Sequence, residues 1–278
     1  AAVLRFQSRH GLEQDALVGR KTLAALNVSV DGRIEQIRLN MDRTRQVFDT
    51  AREDFVLVNI PAFETYLYRD GQAVWTTKVV VGETDAETPI FEAMMNTVVL
   101  NPTWTVPYRI ASEELLPKIQ QDQDFLSRGN YEVRARDGSP VDPADVDWVL
   151  LNRNNFPYTL VQQPGPLNEL GRIKFLLPNE YAVCMHDTPK KHLFELYSRA
   201  FSHGCIRMDK PVDFAAALLD KEGWTRAQID TRLESIQTYT IRLSEPLPVI
   251  VTYLTAVVDD TGTIHFDRDL YGNDVAAQ

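Results

Sequence analysis

The spacing of apolar residues changes at Phe55, and this change constrains the fold more than any other feature. Upstream of Phe55 apolar residues recur at helical intervals, whereas downstream they form short runs bounded by turn residues, as in β-strands. Asp70-Gly71 predicts a tight hairpin turn between two of these runs. The core therefore begins as an antiparallel β meander, with strands predicted at 55–60, 65–68, 73–81 and 96–100.

The remainder of the chain mixes helices and strands. Residues 103–165 combine a predicted helix over 111–121, kinked or ended by Pro117, with polar loops in which apolar residues recur. That mixture predicts an inserted lid or subdomain rather than a linker. Further helices are predicted at 3–26 (two, joined by a loop), 34–47, 212–222 and 226–236, and further strands at 174–177, 181–186, 238–243 and 248–258.

Composition excludes several classes of protein. The 278 residues are 44% hydrophobic and 24% charged, which argues against wholesale disorder. With 39 acidic and 29 basic residues the net charge is −10, which makes the chain a poor candidate for binding nucleic acid, because that requires a basic face. The longest apolar stretch, Leu247 to Val258, is too short to span a bilayer and is predicted to be a buried strand. Because the chain opens at Ala1 without Met, it is expected to be part of a longer protein.

Two motifs carry the residues with the clearest chemistry. His186-Asp187-Thr188 ends a predicted strand, and Ser202-His203-Gly204-Cys205-Ile206-Arg207 follows. Gly204 lets the backbone bend before Cys205 and leaves the approach to sulfur open. A free thiol has a reference pKa of about 8.5, so a histidine is needed to accept its proton. Both His186 and His203 are available, and this joint pattern disfavours the alternative of an inert buried thiol.

The motif pair HDT and SHGCIR resembles the signature of YkuD-like L,D-transpeptidases of bacterial cell walls, and the flanking sequence 181–208 is similar to their long forms. The resemblance implies a mixed α+β fold, mainly β, with an L,D-transpeptidase-type β core, an inserted lid subdomain and N-terminal helices. It also implies a division into domains. Residues 1–27 are expected to be a partial peptidoglycan-binding helical module, with a plain helical hairpin as the alternative, and residues 28–54 a connecting helix. The catalytic domain is expected at 55–278, with a capping subdomain inserted at about 103–165.

The resemblance also implies roles for the motif residues. Cys205 is expected to be the nucleophile, and His186 the general base, with its other ring nitrogen held by a backbone carbonyl. His203 is expected to support the site, and the N–H groups of Gly204 and Cys205 to stabilise an oxyanion. Substrate contacts, with loop and strand packing as the alternative, are expected from Ser202, Arg207, Trp104, Asn168, Gly171, Lys174 and Phe175.

Cys184 is the second cysteine of the chain. It precedes His186 by two residues on a predicted strand, so both side chains are expected on one face. We expect Cys184 to be a small buried residue beside the site, held apart from Cys205 by the base. A redox partnership between Cys184 and Cys205 is the alternative. Two cysteines are too few for a disulfide framework and lack zinc-ligand spacing, so no metal is expected.

The implied function is L,D-transpeptidation in the periplasm. A tetrapeptide stem of peptidoglycan would acylate Cys205, and a second stem would accept the acyl group to give a 3-3 cross-link. Carbapenem-type β-lactams are the expected covalent inhibitors, and no cofactor is expected. A cysteine L,D-carboxypeptidase or peptidase and a non-catalytic wall-binding scaffold are the alternatives, and the acyl acceptor stays open between a stem, a free D-amino acid and a protein lysine.

Overall fold

The computed structural model describes residues 1–50, 53–122, 124–259 and 261–276, so residues 51 and 52 of the predicted connecting segment lie outside the described residues. The strands are β1 (Phe55–Asn59), β2 (Glu64–Arg69), β3 (Gln72–Gly82), β4 (Phe91–Leu100), β5 (Trp104–Thr105), β6 (Tyr131–Arg134), β7 (Pro140–Val141), β8 (Thr159–Gln162), β9 (Ile173–Leu176), β10 (Met185–His186), β11 (Ala200–Ser202), β12 (Ile206–Met208), β13 (Tyr239–Thr252), β14 (Ala256–Val258) and β15 (Ile264–Phe266). The helices are α1 (Ala2–Arg9), α2 (Arg20–Leu26), α3 (Val30–Thr50), α4 (Tyr108–Ile110), α5 (Leu116–Gln121), α6 (Phe125–Arg128), α7 (Pro211–Leu219), α8 (Arg226–Glu234) and α9 (Asn273–Ala276).

The central sheet closes on itself. Its strands follow the order β11-β3-β12-β10-β9-β4-β13-β1-β2, and β2 also pairs with β3. The predicted antiparallel meander holds for β1, β2 and β3. It is wrong for β4, which lies between β9 and β13, because residues 83–90 carry the chain away from β3 before β4 begins. The fold class is the mixed α+β, mainly β structure that the sequence predicts.

Alternate residues of the sheet point into one apolar core. Val98, Phe175, Met185 and Ile206 align across four neighbouring strands, and all four are fully buried. Helix α7 packs its Phe214 ring against Phe175 with the ring centroids 4.9 Å apart. Each such side chain contributes about 1.5–3 kcal/mol when fully buried. The core therefore fixes strand register, and with it the residues that face outward.

The last long strand differs from its prediction. β13 runs unbroken through the gap between the two strands predicted at 238–243 and 248–258, and it ends at Thr252. Its pairing with β4 shifts register between Arg242 and Leu247, and this irregularity absorbs the interruption. Residues 256–258 form the separate strand β14, which pairs with β15.

Residues 104–162 fold around a core of their own. Strands β5, β8, β6 and β7 form a second sheet in that order, and the apolar cluster beneath it includes Val106, Leu116, Ile119 and Leu160. The predicted helix begins earlier, at Tyr108, and continues past Pro117 after a π-helical turn at Ala111–Leu115. The wider π turn lets the chain continue without the N–H that proline lacks. The assignment of this folded unit as a capping subdomain stays a prediction.

The N-terminal helices form a hairpin beside the sheet. Gln7 is buried, and its amide donates to Asp15 Oδ1 at 2.6 Å and to the Leu17 carbonyl at 2.9 Å, which fixes the loop between α1 and α2. Helix α3 then contributes Val47 to an apolar cluster with Phe55, Leu57 and Ile250. Among the helices of the described residues, none is both long and apolar enough to cross a membrane. The identification of 1–27 as a peptidoglycan-binding module stays a prediction.

Candidate active site

Three neighbouring strands place a row of polar residues on the outer face of the closed sheet. Lys174 on β9, His186 on β10 and Arg207 on β12 pair directly across the ladders. Each is adjacent in sequence to a core residue, so strand alternation points it away from the core. His186 is only 4% exposed, whereas Lys174 and Arg207 are half-buried.

The turn that carries Cys205 is held by its own hydrogen bonds. Ser202 Oγ donates to the Cys205 carbonyl at 2.5 Å and accepts from the Gly204 N–H at 3.2 Å. Thr88 Oγ1 donates to the Gly204 carbonyl at 2.8 Å, and Gly204 has a φ of +101°, a conformation that favours glycine. Ser202 is 1% exposed and its hydroxyl is bonded within the turn, which favours a packing role; its expected substrate contact stays a prediction. The Gly204 N–H, expected to bind an oxyanion, is occupied by Ser202.

Cys184 lies against Cys205 and His186. The two Sγ atoms are 3.6 Å apart, and both lie within 4.8 Å of a ring nitrogen of His186. The expectation that the base separates the two thiols is wrong. The Cys184 carbonyl accepts the Ile206 N–H at 3.0 Å, which holds its backbone beside the Cys205 turn.

The segment before His186 is a turn rather than the predicted strand over 181–186. Asn179 Oδ1 accepts the N–H groups of Tyr181 and Val183, and Ala182 has a positive φ of 54°. These side chain–backbone bonds replace the ladder bonds that a longer strand would make. Only Met185 and His186 remain in β10.

The two thiols have opposite electrostatic environments. The hydrogen bond with Cys184, followed by the contact with His186, holds the pKa of Cys205 well below its usual value against the effect of burial. The same contact and burial raise the pKa of Cys184 well above its usual value. Since the thiolate is the nucleophilic form, these opposite directions favour Cys205 as the nucleophile, and its role stays a prediction.

Backbone and carboxylate contacts fix the orientation of His186. Its Nδ1 lies 2.5 Å from the Asp187 carbonyl, and because a carbonyl only accepts, Nδ1 carries the proton and Nε2 is left as the acceptor. This is the partner that the resemblance implies. The Asp187 carboxylate accepts from the Arg172 N–H at 2.8 Å and from Lys191 Nζ at 2.7 Å, so the loop after His186 is tied to two further segments.

Three residues expected in a substrate groove make packing contacts or hydrogen bonds within the fold. Phe175 is fully buried in the core, on the opposite face of β9 from Lys174. Asn168 is 1% exposed, and its amide donates to the carbonyls of Pro102, Gln162 and Gln163. Gly171 packs against the Asp187 side chain with a φ of +62°. These contacts favour the packing role that the sequence left as the alternative, and substrate contact by the three residues stays a prediction.

We expect Gly171→Ala to destabilise the protein by about 1–3 kcal/mol and to slow chemistry at Cys205. A Cβ at this position would lie 2.4 Å from the Asp187 carboxyl carbon, so the loop that orients His186 has to move. Urea unfolding and carbapenem acylation rates measure the two effects. Gly138→Ala is the matched control, because Gly138 has a φ of +86° with no atom within 4 Å of its Cβ position. Equal, small losses in the two variants would contradict the packing argument.

His203 connects the cysteine turn to the insertion. Its Nε2 lies 2.8 Å from Glu114 Oε1, in the π-helical turn. The sequence does not reveal this contact, since nothing in Glu114 distinguishes it from other exposed acidic residues. Trp104 is half-buried against the apolar cluster of the insertion. Arg207 Nε is buried and has no hydrogen-bond partner among the described residues.

The cluster of two sulfurs and one imidazole is also close enough to hold a soft metal ion. The zinc-spacing rule could not detect it, because the three residues meet through the sheet. The same proximity serves proton transfer between thiol and imidazole, and we assign no metal to it. A cavity of about 1060 Å³ lies elsewhere, between the N-terminal helices and β1–β2, and none of these residues lines it.

Comparisons with known proteins identify the family to which this chain is similar. The family model described as the YkuD L,D-transpeptidase catalytic domain matches residues 53–231. A curated Haemophilus influenzae protein named "Putative L,D-transpeptidase" is 35% identical over 240 residues, which cover 86% of this chain and 48% of that protein. The chain therefore spans about half the length of this relative.

Two solved structures match a similar portion of the chain. The catalytic domain from E. faecium L,D-transpeptidase acylated by ertapenem is 13% identical, with 72% of this chain and 98% of that chain covered and a TM-score of 0.33. L,D-transpeptidase 3 from Mycobacterium tuberculosis in complex with a faropenem-derived adduct is 12% identical, with 72% and 60% covered and a TM-score of 0.33.

The chain belongs to the YkuD L,D-transpeptidase catalytic domain family, because the family model covers more than half of it.

Proposed function

We propose that this protein forms 3-3 cross-links in peptidoglycan through a thioester on Cys205. The observation that supports the proposal is the pairing of Cys205 with a buried His186 whose Nδ1 is committed to a backbone carbonyl. A thiol of lowered pKa beside an oriented imidazole is the arrangement that covalent acyl transfer requires. The proposed reaction takes place in the periplasm, where stem peptides are found.

In the acylation step, His186 Nε2 holds the proton from Cys205, and the thiolate attacks the carbonyl at the L-centre of diaminopimelate in a tetrapeptide stem. The bond to the terminal D-alanine breaks, and His186 returns the proton to the leaving amine. In the second step, the side-chain amine of another stem gives its proton to His186 and attacks the thioester. The Cys205 thiolate is then released, and one amide bond has replaced another.

Both steps create an oxyanion that needs hydrogen-bond donors. The Cys205 N–H suits this role, since it has no acceptor within the part of the chain that the structure describes. The Gly204 N–H can join it only by leaving Ser202 Oγ, and its 3.2 Å bond is long enough to exchange. Lys174 and Arg207 flank His186 and offer positive charge to the carboxylates of a stem.

The insertion is proposed to cap the site and to position the donor stem. The close approach of His203 Nε2 to Glu114 Oε1 supports this role, because it joins the residue two before Cys205 to the first helical segment of the insertion. A cap that excludes water from the thioester favours transfer to an amine over hydrolysis.

Product analysis separates the proposed transpeptidase from a cysteine L,D-carboxypeptidase. We expect purified protein incubated with disaccharide-tetrapeptide to yield a dimer whose mass equals two substrates minus one D-alanine. A carboxypeptidase gives only the tripeptide, in which water has replaced D-alanine, and a wall-binding scaffold gives neither product. Cys205→Ser is the control for contaminating activity. Tripeptide without dimer at high acceptor concentration would contradict cross-linking.

A further inference from the structure

Cys184 contacts the reacting sulfur, yet no step proposed above uses it. It is 8% exposed, and its carbonyl is bonded to the Ile206 N–H, so its backbone cannot withdraw from the Cys205 turn. The Sγ–Sγ distance of 3.6 Å is within hydrogen-bond range for sulfur. One of the two thiols must donate across this contact, and the other must accept.

We infer that Cys184 is a positioning residue that donates its S–H to Cys205 Sγ and thereby stabilises the reactive thiolate. The inference rests on the proposed role of Cys205 as nucleophile. The direction of donation follows from the surroundings: Cys205 is the more exposed residue, whereas Cys184 is buried, and burial favours the protonated thiol. The raised pKa of Cys184 and the lowered pKa of Cys205 agree with this direction.

Other charged groups near the two thiols also influence the pKa values of Cys184 and Cys205. His186 favours the Cys205 thiolate, and Lys174 lowers the pKa of Cys184 by a smaller effect than the contact with Cys205 raises it. Arg207 is near Cys205, with Glu169 beside it as the opposing charge. These groups stay in place when Cys184 is replaced, so a change in the ionisation of Cys205 reports on the lost S–H donor.

Removing the donor has two opposite effects on the rate at which Cys205 reacts with a small alkylating reagent. We expect the pKa of Cys205 to rise by about one unit, since bonds to a charged acceptor are worth more than neutral ones but S–H is a weak donor. The thiolate fraction at low pH then falls about tenfold, while each thiolate becomes about threefold more nucleophilic because nucleophilicity rises with pKa. The rate therefore falls about threefold at low pH and rises about threefold at the high-pH plateau.

The test is the pH–rate profile of Cys205 alkylation by iodoacetamide, followed by mass analysis of the Cys205 peptide in the presence of a phosphine reductant. We expect the Cys184→Ala profile to cross that of the wild type as described. Cys184→Ser keeps a hydroxyl donor, and its profile should stay close to that of the wild type. If the cavity left by Cys184→Ala only loosened the packing around Cys205, alkylation would be slower at every pH and the two profiles would not cross.

Three results would overturn the inference: an unchanged Cys205 pKa in Cys184→Ala, equal shifts in the Ala and Ser variants, or preferential wild-type alkylation at Cys184. Failure of the proposed function looks different. In that case wild-type Cys205 is alkylated with a lowered pKa that depends on Cys184, but it forms neither a carbapenem adduct nor a cross-linked dimer.

Discussion

Cys205→Ala is expected to abolish both carbapenem labelling and cross-linking, with a loss on the order of 10⁶-fold where a residual rate is measurable. The reason is chemical: without the sulfur there is no atom to hold the acyl group between the two halves of the reaction. Intact-protein mass spectrometry measures the adduct, which in the wild type should add the carbapenem mass once. Thermal unfolding should be nearly unchanged, because the substitution removes one partly exposed atom.

Cys184→Ala is the matched control for this experiment. It removes the neighbouring sulfur, and the adduct should still form, with a lower rate only at low pH. A tryptic map places the adduct on one of the two cysteines. Labelling of Cys184 in the wild type, or an adduct that persists in Cys205→Ala, would transfer the nucleophile to the other sulfur.

His186→Ala is expected to slow acylation by about 10²- to 10⁴-fold, the usual contribution of a positioned general base. His186 also lowers the pKa of Cys205, so the variant requires a higher pH to form thiolate. Its residual acylation should therefore increase with pH beyond the range in which the wild-type rate has become constant. Stopped-flow measurement of carbapenem acylation between pH 5 and pH 10 records both the loss and the displaced profile.

His203→Ala should cost less than His186→Ala in the same assay. The Nε2 atom of His203 lies 2.8 Å from Glu114 Oε1 in the insertion, and His203 lies outside the cluster of thiols and imidazole. Glu114→Gln shows whether a deficit in His203→Ala comes from the lost contact with the insertion, since both variants break the ion pair. A larger loss in His203→Ala than in His186→Ala would move the base role to His203.

Local sequence patterns predicted much of the fold and the centre of the site. The β1–β3 meander follows from short apolar runs around Asp70-Gly71. Cys205 and a histidine partner follow from residue type and motif, because thiol chemistry needs a proton acceptor; the choice of His186 over His203 is what the family resemblance implies. Each of these inferences uses interactions between residues close in sequence or within one motif.

Contacts made through the tertiary fold could not be predicted in this way. Glu114 lies in the insertion and contacts His203 through the tertiary fold, and the sequence around Glu114 does not predict this contact. The buried amide of Asn168 bonds three carbonyls from two separate segments, which a sequence pattern of turn residues does not reveal. Phe175 is different, because it follows Lys174 directly in a predicted strand and strand alternation places the two side chains on opposite faces. Only one of them can therefore lie on the outer face.

The division of the closed sheet into an inner and an outer face gives neighbouring residues independent evolutionary freedom. Met185 supports the core and His186 the chemistry, although they are consecutive in the chain. Ile206 and Arg207 divide the two tasks in the same way on the next strand. Substitutions at the outward-facing positions therefore change the proposed site with little effect on core packing, and substitutions at the inward-facing positions change core packing with little effect on the proposed chemistry.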